Sequence, residues 1–236
     1  MEKKNKTLGV LGGIGPMSTV YFYELLTSLT RASSDQEHLD IVIASRASTP
    51  DRTDYIVGRS DKNPLDLRIP DAKRLEAFGA DLIAIPCNTA HYFYDELARA
   101  VNVPILNIIE EAVKKLADEG VTRFGLLATD GTVGSRTYQK YCASHGIECV
   151  VPDAAHQAMV MELIYAQIKR GLPADMTMFS KITGHMCARG CERLILGCTE
   201  LSLIKKNHGL GDFYTDSLAT LALSSIRACG KQTIYD

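Results

Sequence analysis

Two stretches of this 236-residue chain repeat one local pattern: Gly79-Ala80-Asp81-Leu82-Ile83-Ala84-Ile85-Pro86-Cys87-Asn88-Thr89, and again Gly190-Cys191-Glu192-Arg193-Leu194-Ile195-Leu196-Gly197-Cys198-Thr199-Glu200. Each is an apolar run that ends on a thiol and passes into polar residues. Such a run suits a parallel strand covered on both faces, and the polar residues after it suit the turn into a helix. The two cysteines stand 111 residues apart. A second pair of segments, Leu8-Gly9-Val10-Leu11-Gly12-Gly13-Ile14-Gly15 and Phe124-Gly125-Leu126-Leu127-Ala128-Thr129-Asp130-Gly131, repeats at an offset of 116. The chain therefore reads as a duplicated βαβ unit. Ligands of open α/β sheets bind beyond the carboxyl ends of the strands, so each cysteine falls where chemistry is usually done.

The rest of the chain fits that frame. Strands are expected near residues 8–12, 40–45, 82–86, 104–108, 123–128, 147–151, 193–197 and 212–215, with helices in most of the gaps. Pro16, Asn63 before Pro64, and Thr89 are cap or first-turn types, while Gly79, Gly120, Gly146, Gly171 and Gly190 fit helix ends. The expected fold is α/β: two Rossmann-like or flavodoxin-like α/β/α domains related by a pseudo-twofold, with a site in the cleft between them. No low-complexity linker separates the halves. The expected division is residues 1–103 plus 212–236, carrying Cys87, against residues 104–211, carrying Cys198.

Composition narrows the function classes. A net charge of -2 with 46% hydrophobic residues leaves no basic footprint for nucleic acid and no membrane patch. Glu2-Lys3-Lys4-Asn5-Lys6 is charged, but the apolar stretch after it is short and broken by glycines, so neither a signal peptide nor a membrane span is expected. Seven cysteines, an odd number without small-domain disulfide spacing, fit a reducing cytoplasm.

A lone cysteine is ordinarily inert packing, and Cys142, Cys149, Cys187, Cys191 and Cys229 keep that reading. Cys87 and Cys198 escape it because position and flanks repeat together. Two thiols facing one cleft suggest an acid and a base on opposite faces of one substrate. Metal binding is the chemical rival: Cys87 and His91 share a helix spacing and Cys198 offers a third ligand, but none of the spacings is that of a zinc site, so no metal is expected and His91 reads as a supporting residue. The turn Gly12-Gly13-Ile14-Gly15-Pro16 departs from the dinucleotide pattern G-x-G-x-x-G at Ser18. Backbone N–H groups at Gly13 and the following helix N-terminus suit a carboxylate instead, and Ala128-Thr129-Asp130-Gly131-Thr132 offers the same with the Thr129 and Thr132 hydroxyls added.

Five ordered motifs now resemble a known family. Leu11-Gly12-Gly13-Ile14-Gly15-Pro16, Pro50-Asp51-Arg52-Thr53, Pro86-Cys87-Asn88-Thr89-Ala90-His91, Leu127-Ala128-Thr129 and Gly197-Cys198-Thr199-Glu200 resemble the cofactor-independent aspartate/glutamate racemases, most closely the aspartate branch, from about residue 7 to about residue 220. The resemblance implies a homodimer, no cofactor, and Cys87 and Cys198 as the catalytic pair. It places Asn88, Thr89, Thr129 and Thr199 around the amino-acid end of a dicarboxylic substrate, with Arg52 and Lys169 on its side-chain carboxylate. Glutamate racemases usually carry His after the second Cys-Thr, where this chain has Glu200. Arg46 stands where relatives often carry an amide, and either adds charge near the pocket or faces solvent. Glutamate, broader amino-acid and hydantoin racemisation stay open, as does a two-lobed protein that binds carboxylates without catalysis.

Racemisation needs one thiolate and one thiol. A free cysteine is only about 3% ionised at neutral pH, so the Asn88-Thr89 and Thr199 turns and the helix N-termini are expected to lower a thiol pKa modestly.

Overall fold

The computed structural model describes residues 5–236; Glu2, Lys3 and Lys4, on which part of the reading of the chain start rested, lie outside them. The first half runs β1 (Thr7–Gly12), α1 (Pro16–Leu29), β2 (Asp40–Ser45), α2 (Arg52–Ile56), α3 (Leu65–Phe78), β3 (Leu82–Ala84), α4 (Tyr94–Ala100) and β4 (Ile105–Leu106). Helix α5 (Ile108–Asp118) leads into β5 (Arg123–Leu127), α6 (Asp130–Gly134), α7 (Thr137–His145), β6 (Glu148–Val150), α8 (Ala154–Met161), α9 (Met176–Ala188), β7 (Arg193–Leu196), α10 (Thr199–His208), β8 (Tyr214–Asp216) and α11 (Ser217–Ala228). The strands form two parallel sheets of identical order, β2-β1-β3-β4 and β6-β5-β7-β8. The duplication visible in the sequence is therefore a duplication of topology.

Side chains alternate along the strands and divide the core. Leu82 and Ala84 of β3 enter a central cluster while Ile83 enters an outer one; on β7, Ile195 faces the centre and Leu194 and Leu196 face outward. The central cluster also takes Leu8 and Val10 of β1, Phe124 and Leu126 of β5, and residues of α1, α5, α7 and α11, so the two sheets share one core.

Two of these helices cross between the halves. Asn107 accepts hydrogen bonds from the Ile109 and Glu110 N–H groups and starts α5; at the matching place Asp216 accepts from Leu218 and Ala219 and starts α11. The buried apolar residues of α5 (Ile108, Ile109, Ala112, Val113, Leu116) and of α11 (Leu218, Leu221, Ala222, Ile226) recur at helical spacing and make one apolar stripe each. Helix α5 leaves the first sheet and packs on α7; α11 leaves the second and packs on α1; the two also pack on each other.

The expected division needs correction at both crossings. Strand β4, inside the expected second unit 104–211, pairs with β3 in the first sheet, and β8, inside the expected first unit's 212–236, pairs with β7 in the second. Both strands are two or three residues long. A strand that short carries no pattern telling which sheet edge satisfies its backbone groups.

Candidate active site

The loops that follow β1, β3, β5 and β7 meet at one small cavity. It is lined by Cys87, Asn88 and Thr89 after β3, by Cys198, Thr199 and Glu200 after β7, and by Ile14, Arg52, Thr53, Thr129, Tyr165 and Lys169. Both cysteines are buried, at 7% and 6% exposure. This inner cavity of about 10 Å³ has room for about one water. It adjoins an outer cavity of about 370 Å³, lined in part by Gly13, Ser18, Arg52, Lys169 and Glu200.

Cys198 is the N-cap residue of α10, and its Sγ donates a hydrogen bond to Glu200 Oε2 at 2.9 Å. Burial pushes the Cys198 thiol well up, and the Glu200 carboxylate adds to the rise against the opposing pull of Lys169. For this cysteine the direction is the opposite of the expected modest lowering, because burial, with a carboxylate two residues on, outweighs what a helix N-terminus supplies.

Arg52 is 8% exposed and carries the most telling orphan of the site. One terminal N–H₂ donates to the Pro50 carbonyl at 3.1 Å, while Nε is buried with no hydrogen-bond partner among the described residues. Burial works against its charge, but Cys87, Asp51, Tyr165 and Glu200 together raise its pKa. Lys169 lies over the Tyr165 ring, 4.1 Å from the centroid, and its Nζ is 3.7 Å from Asp51 Oδ2. The Tyr165 hydroxyl donates to both Asp51 oxygens at 3.2 Å, so Asp51, which caps α2, ties that helix to the segment carrying Tyr165 and Lys169. Tyr165 sits in a π-helical stretch, Glu162–Gln167, that turns Tyr165 and Lys169 toward the first half.

Hydroxyls from both halves meet beside Cys87. Thr89 Oγ1 lies 2.9 Å from Thr129 Oγ1 and 3.0 Å from Thr132 Oγ1, and the last two are 3.3 Å apart. Thr132 stands behind the other two and does not line the inner cavity. The Asn88 side chain is engaged as well: Oδ1 accepts from the Tyr138 hydroxyl at 2.7 Å and Nδ2 donates to Ser217 Oγ at 3.0 Å. Ser217 in turn donates to the Leu196 carbonyl, two residues before Cys198, so a buried chain of hydrogen bonds joins the two cysteine turns.

Three further residues singled out from the sequence stand outside the inner cavity. His91 is buried, with Nδ1 2.9 Å from the Cys87 carbonyl and Nε2 accepting from the Ile108 N–H at 3.3 Å, which makes it a neutral imidazole bracing the cysteine turn rather than a thiol's partner on a metal. Arg46 is bidentate to Asp71, at 2.5 and 2.7 Å, and lines neither cavity. Gly13 has φ +88, and a Cβ there would stand 2.2 Å from the Arg46 nitrogen, so the turn needs glycine for close approach; its own N–H is taken by Thr19 Oγ1 at 2.8 Å and not by a ligand. Among the described residues one group of metal-ligand types gathers, Asp153, His156 and His185, away from the cavity and with Asp153 already capping α8.

Sequence reasoning missed Tyr165 and Arg68. Tyr165 stands four residues before Lys169, the spacing that puts two side chains on one helix face, and that spacing was a usable sign. Arg68 is 2% exposed and donates to the Leu11 and Gly12 carbonyls; burial pushes its pKa down to about 10. Nothing local in α3 announces a buried arginine.

The comparisons with known proteins agree with this architecture. The family described as Asp/Glu/Hydantoin racemase matches residues 11–217. The broad specificity amino-acid racemase RacX of Bacillus subtilis is 33% identical over 232 residues, 93% of this chain and 96% of that one. The structure of the Picrophilus torridus aspartate racemase superposes with a TM-score of 0.82 at 31% identity, covering 97% of this chain and 96% of that one. A glutamate racemase from Francisella tularensis, solved with D-glutamate, shares the fold at a TM-score of 0.68 and 18% identity, over 95% of this chain and 82% of that one. The chain belongs to the Asp/Glu/Hydantoin racemase family and is an isomerase of that family.

Proposed function

We propose that the protein interconverts L- and D-aspartate by two-thiol proton transfer at Cα, with neither pyridoxal phosphate nor a metal, as a cytoplasmic homodimer. The observation that carries the reading is the meeting of two buried cysteines from duplicated halves at one cavity lined also by Arg52, whose buried Nε has no hydrogen-bond partner among the described residues. One cysteine takes the α-proton as thiolate while the other, as thiol, returns a proton to the opposite face. Charge that spreads into the substrate's α-carboxylate is met by preorganised donors, for which the Thr89, Thr129 and Thr199 hydroxyls and backbone N–H groups beside the cysteines are placed. Arg52 and Lys169 take the side-chain carboxylate. Burial supplies the low-dielectric surroundings in which such donors count for most. All seven cysteines are unpaired, which suits a reducing compartment, and no helix among the described residues is long and apolar enough to cross a membrane.

A second reading, racemisation of several amino acids, is favoured by the outer cavity. Its wall adds the apolar Ile14, Met17, Ile168 and Leu203 next to Arg52 and Lys169, a surface on which longer side chains find contact. Deuterium incorporation at Cα in D₂O, measured over a panel of L- and D-amino acids, separates the readings. Aspartate is expected to exchange fastest, Cys87→Ser and Cys198→Ser each to abolish inversion, and prolonged chelation or hydroxylamine to leave the rate unchanged. Exchange of no amino acid, or near-normal inversion by either serine variant, sinks the proposal.

A further inference from the structure

The duplication sets residues of the two halves in correspondence: Cys87 with Cys198, Thr89 with Glu200, and Gly15 with Gly131. The contacts obey it too. A Cβ on Gly131 would stand 3.1 Å from Thr89 Cγ2, and a Cβ on Gly15 would stand 2.8 Å from Glu200 Oε1, so each turn packs on the residue two beyond the opposite half's cysteine. The geometry is symmetric and the chemistry is not. Where the first half presents a hydroxyl, bonded to the Thr129 and Thr132 hydroxyls, the second presents a carboxylate bonded to the thiol of its own cysteine.

We infer that Glu200 is a positioning residue that holds Cys198 as the thiol of the resting enzyme. The inference rests on the two-thiol reading above. The Cys198–Glu200 hydrogen bond exists only while the sulfur keeps its proton; ionisation there would put two negative charges at hydrogen-bond distance in a buried site. Lys169, from the turn after the π-helical stretch, opposes this, and Arg52 of α2 faces Glu200; the Tyr165 and Tyr138 phenols near Cys198 have raised pKa values and stay neutral. Cys87 lines the same cavity as Arg52.

In one direction the Cys87 thiolate takes the α-proton, the Cα–H electron pair stays on carbon, and the Cys198 thiol protonates the other face. Cys87 then holds a thiol and Cys198 a thiolate beside Glu200. Solvent water restores the resting form by taking a proton from one sulfur and giving one to the other. The enantiomers are equal in free energy, so kcat/KM is equal for both, and the asymmetry has to be read on the sulfurs themselves.

The test uses the full chain carrying Cys87→Ser, so that Cys198 is the one thiol left at the cavity. The pH dependence of Cys198 alkylation by iodoacetamide is mapped by peptide mass spectrometry, with Glu200 intact, as Glu200→Gln and as Glu200→Thr, the last copying the first half. Either substitution is expected to lower the midpoint by about one pH unit or more, which is about 10-fold more modification at neutral pH. Exchange of the α-proton of the single enantiomer open to Cys198 should rise in parallel, a gain that a merely structural glutamate would not give. An unmoved midpoint in both variants, or a Cys198 that is already ionised at neutral pH with Glu200 intact, overturns the inference. A lowered midpoint together with no exchange of any amino acid by the chain with both cysteines intact upholds the Glu200 assignment and overturns the racemase reading instead.

Discussion

Arg52 carries the substrate assignment, and its value lies in geometry as much as charge. A guanidinium holds a carboxylate through two parallel hydrogen bonds, whereas Lys169, stacked on Tyr165 and within reach of Asp51, acts as a point charge. Arg52→Ala is therefore expected to lower kcat/KM for aspartate by about 10- to 150-fold, the equivalent of losing one charge-assisted contact, and to change the value for alanine far less. Arg52→Lys should recover little of the loss. The ratio of the two efficiencies is the measurement, and an unchanged ratio would show that Arg52 does not hold the side-chain carboxylate. At this scale the sequence was most legible where a motif repeated: Cys87, Cys198 and the threonines beside them meet as the duplication requires. It was least legible where a side chain acts through space. Arg46 and Asp71, 25 residues apart, make their pair only after β2 and α3 have packed.

Among the elements, the joint between the first cysteine turn and α5 is held by one imidazole. Burial pushes the His91 pKa from 6.5 down to about 4 while it bridges the Cys87 carbonyl and the Ile108 N–H. The unfolded chain binds a proton on this residue below pH 6.5 and the folded chain does not until about pH 4, so folding stability falls as pH drops through that window. The contribution is about 3 kcal/mol at its full extent. Urea midpoints of wild type and His91→Gln between pH 7 and pH 4 check it: glutamine can donate and accept in the same place, so the variant should show a flatter loss, and parallel curves would refute the account. The element boundaries followed the sequence closely, from Pro16 opening α1 to Gly79 and Gly146 closing α3 and α7 with left-handed backbone. What local pattern did not carry was the sheet to which β4 and β8 belong, since that choice is made by long-range pairing.

At the scale of the whole molecule, the cavity has room for about one water, so a four-carbon diacid enters only if the wall of Arg52, Tyr165, Lys169 and Glu200 moves aside. The links that must give are the ones that join the halves there, chiefly Asp51 with Tyr165 and Lys169, while the shared core around α5 and α11 stays packed. The crossing of those two helices reaches further than the cavity. A chain divided at the turn after α5 gives two pieces, residues 1–120 and 121–236, each with an apolar stripe whose cover is on the other piece. Neither piece is a module in its own right, and each is the template for its complement. Co-expression of the two is expected to restore racemase activity in trans, and either alone to give none, so that the one polypeptide behaves as a tethered heterodimer of two subunits with one topology.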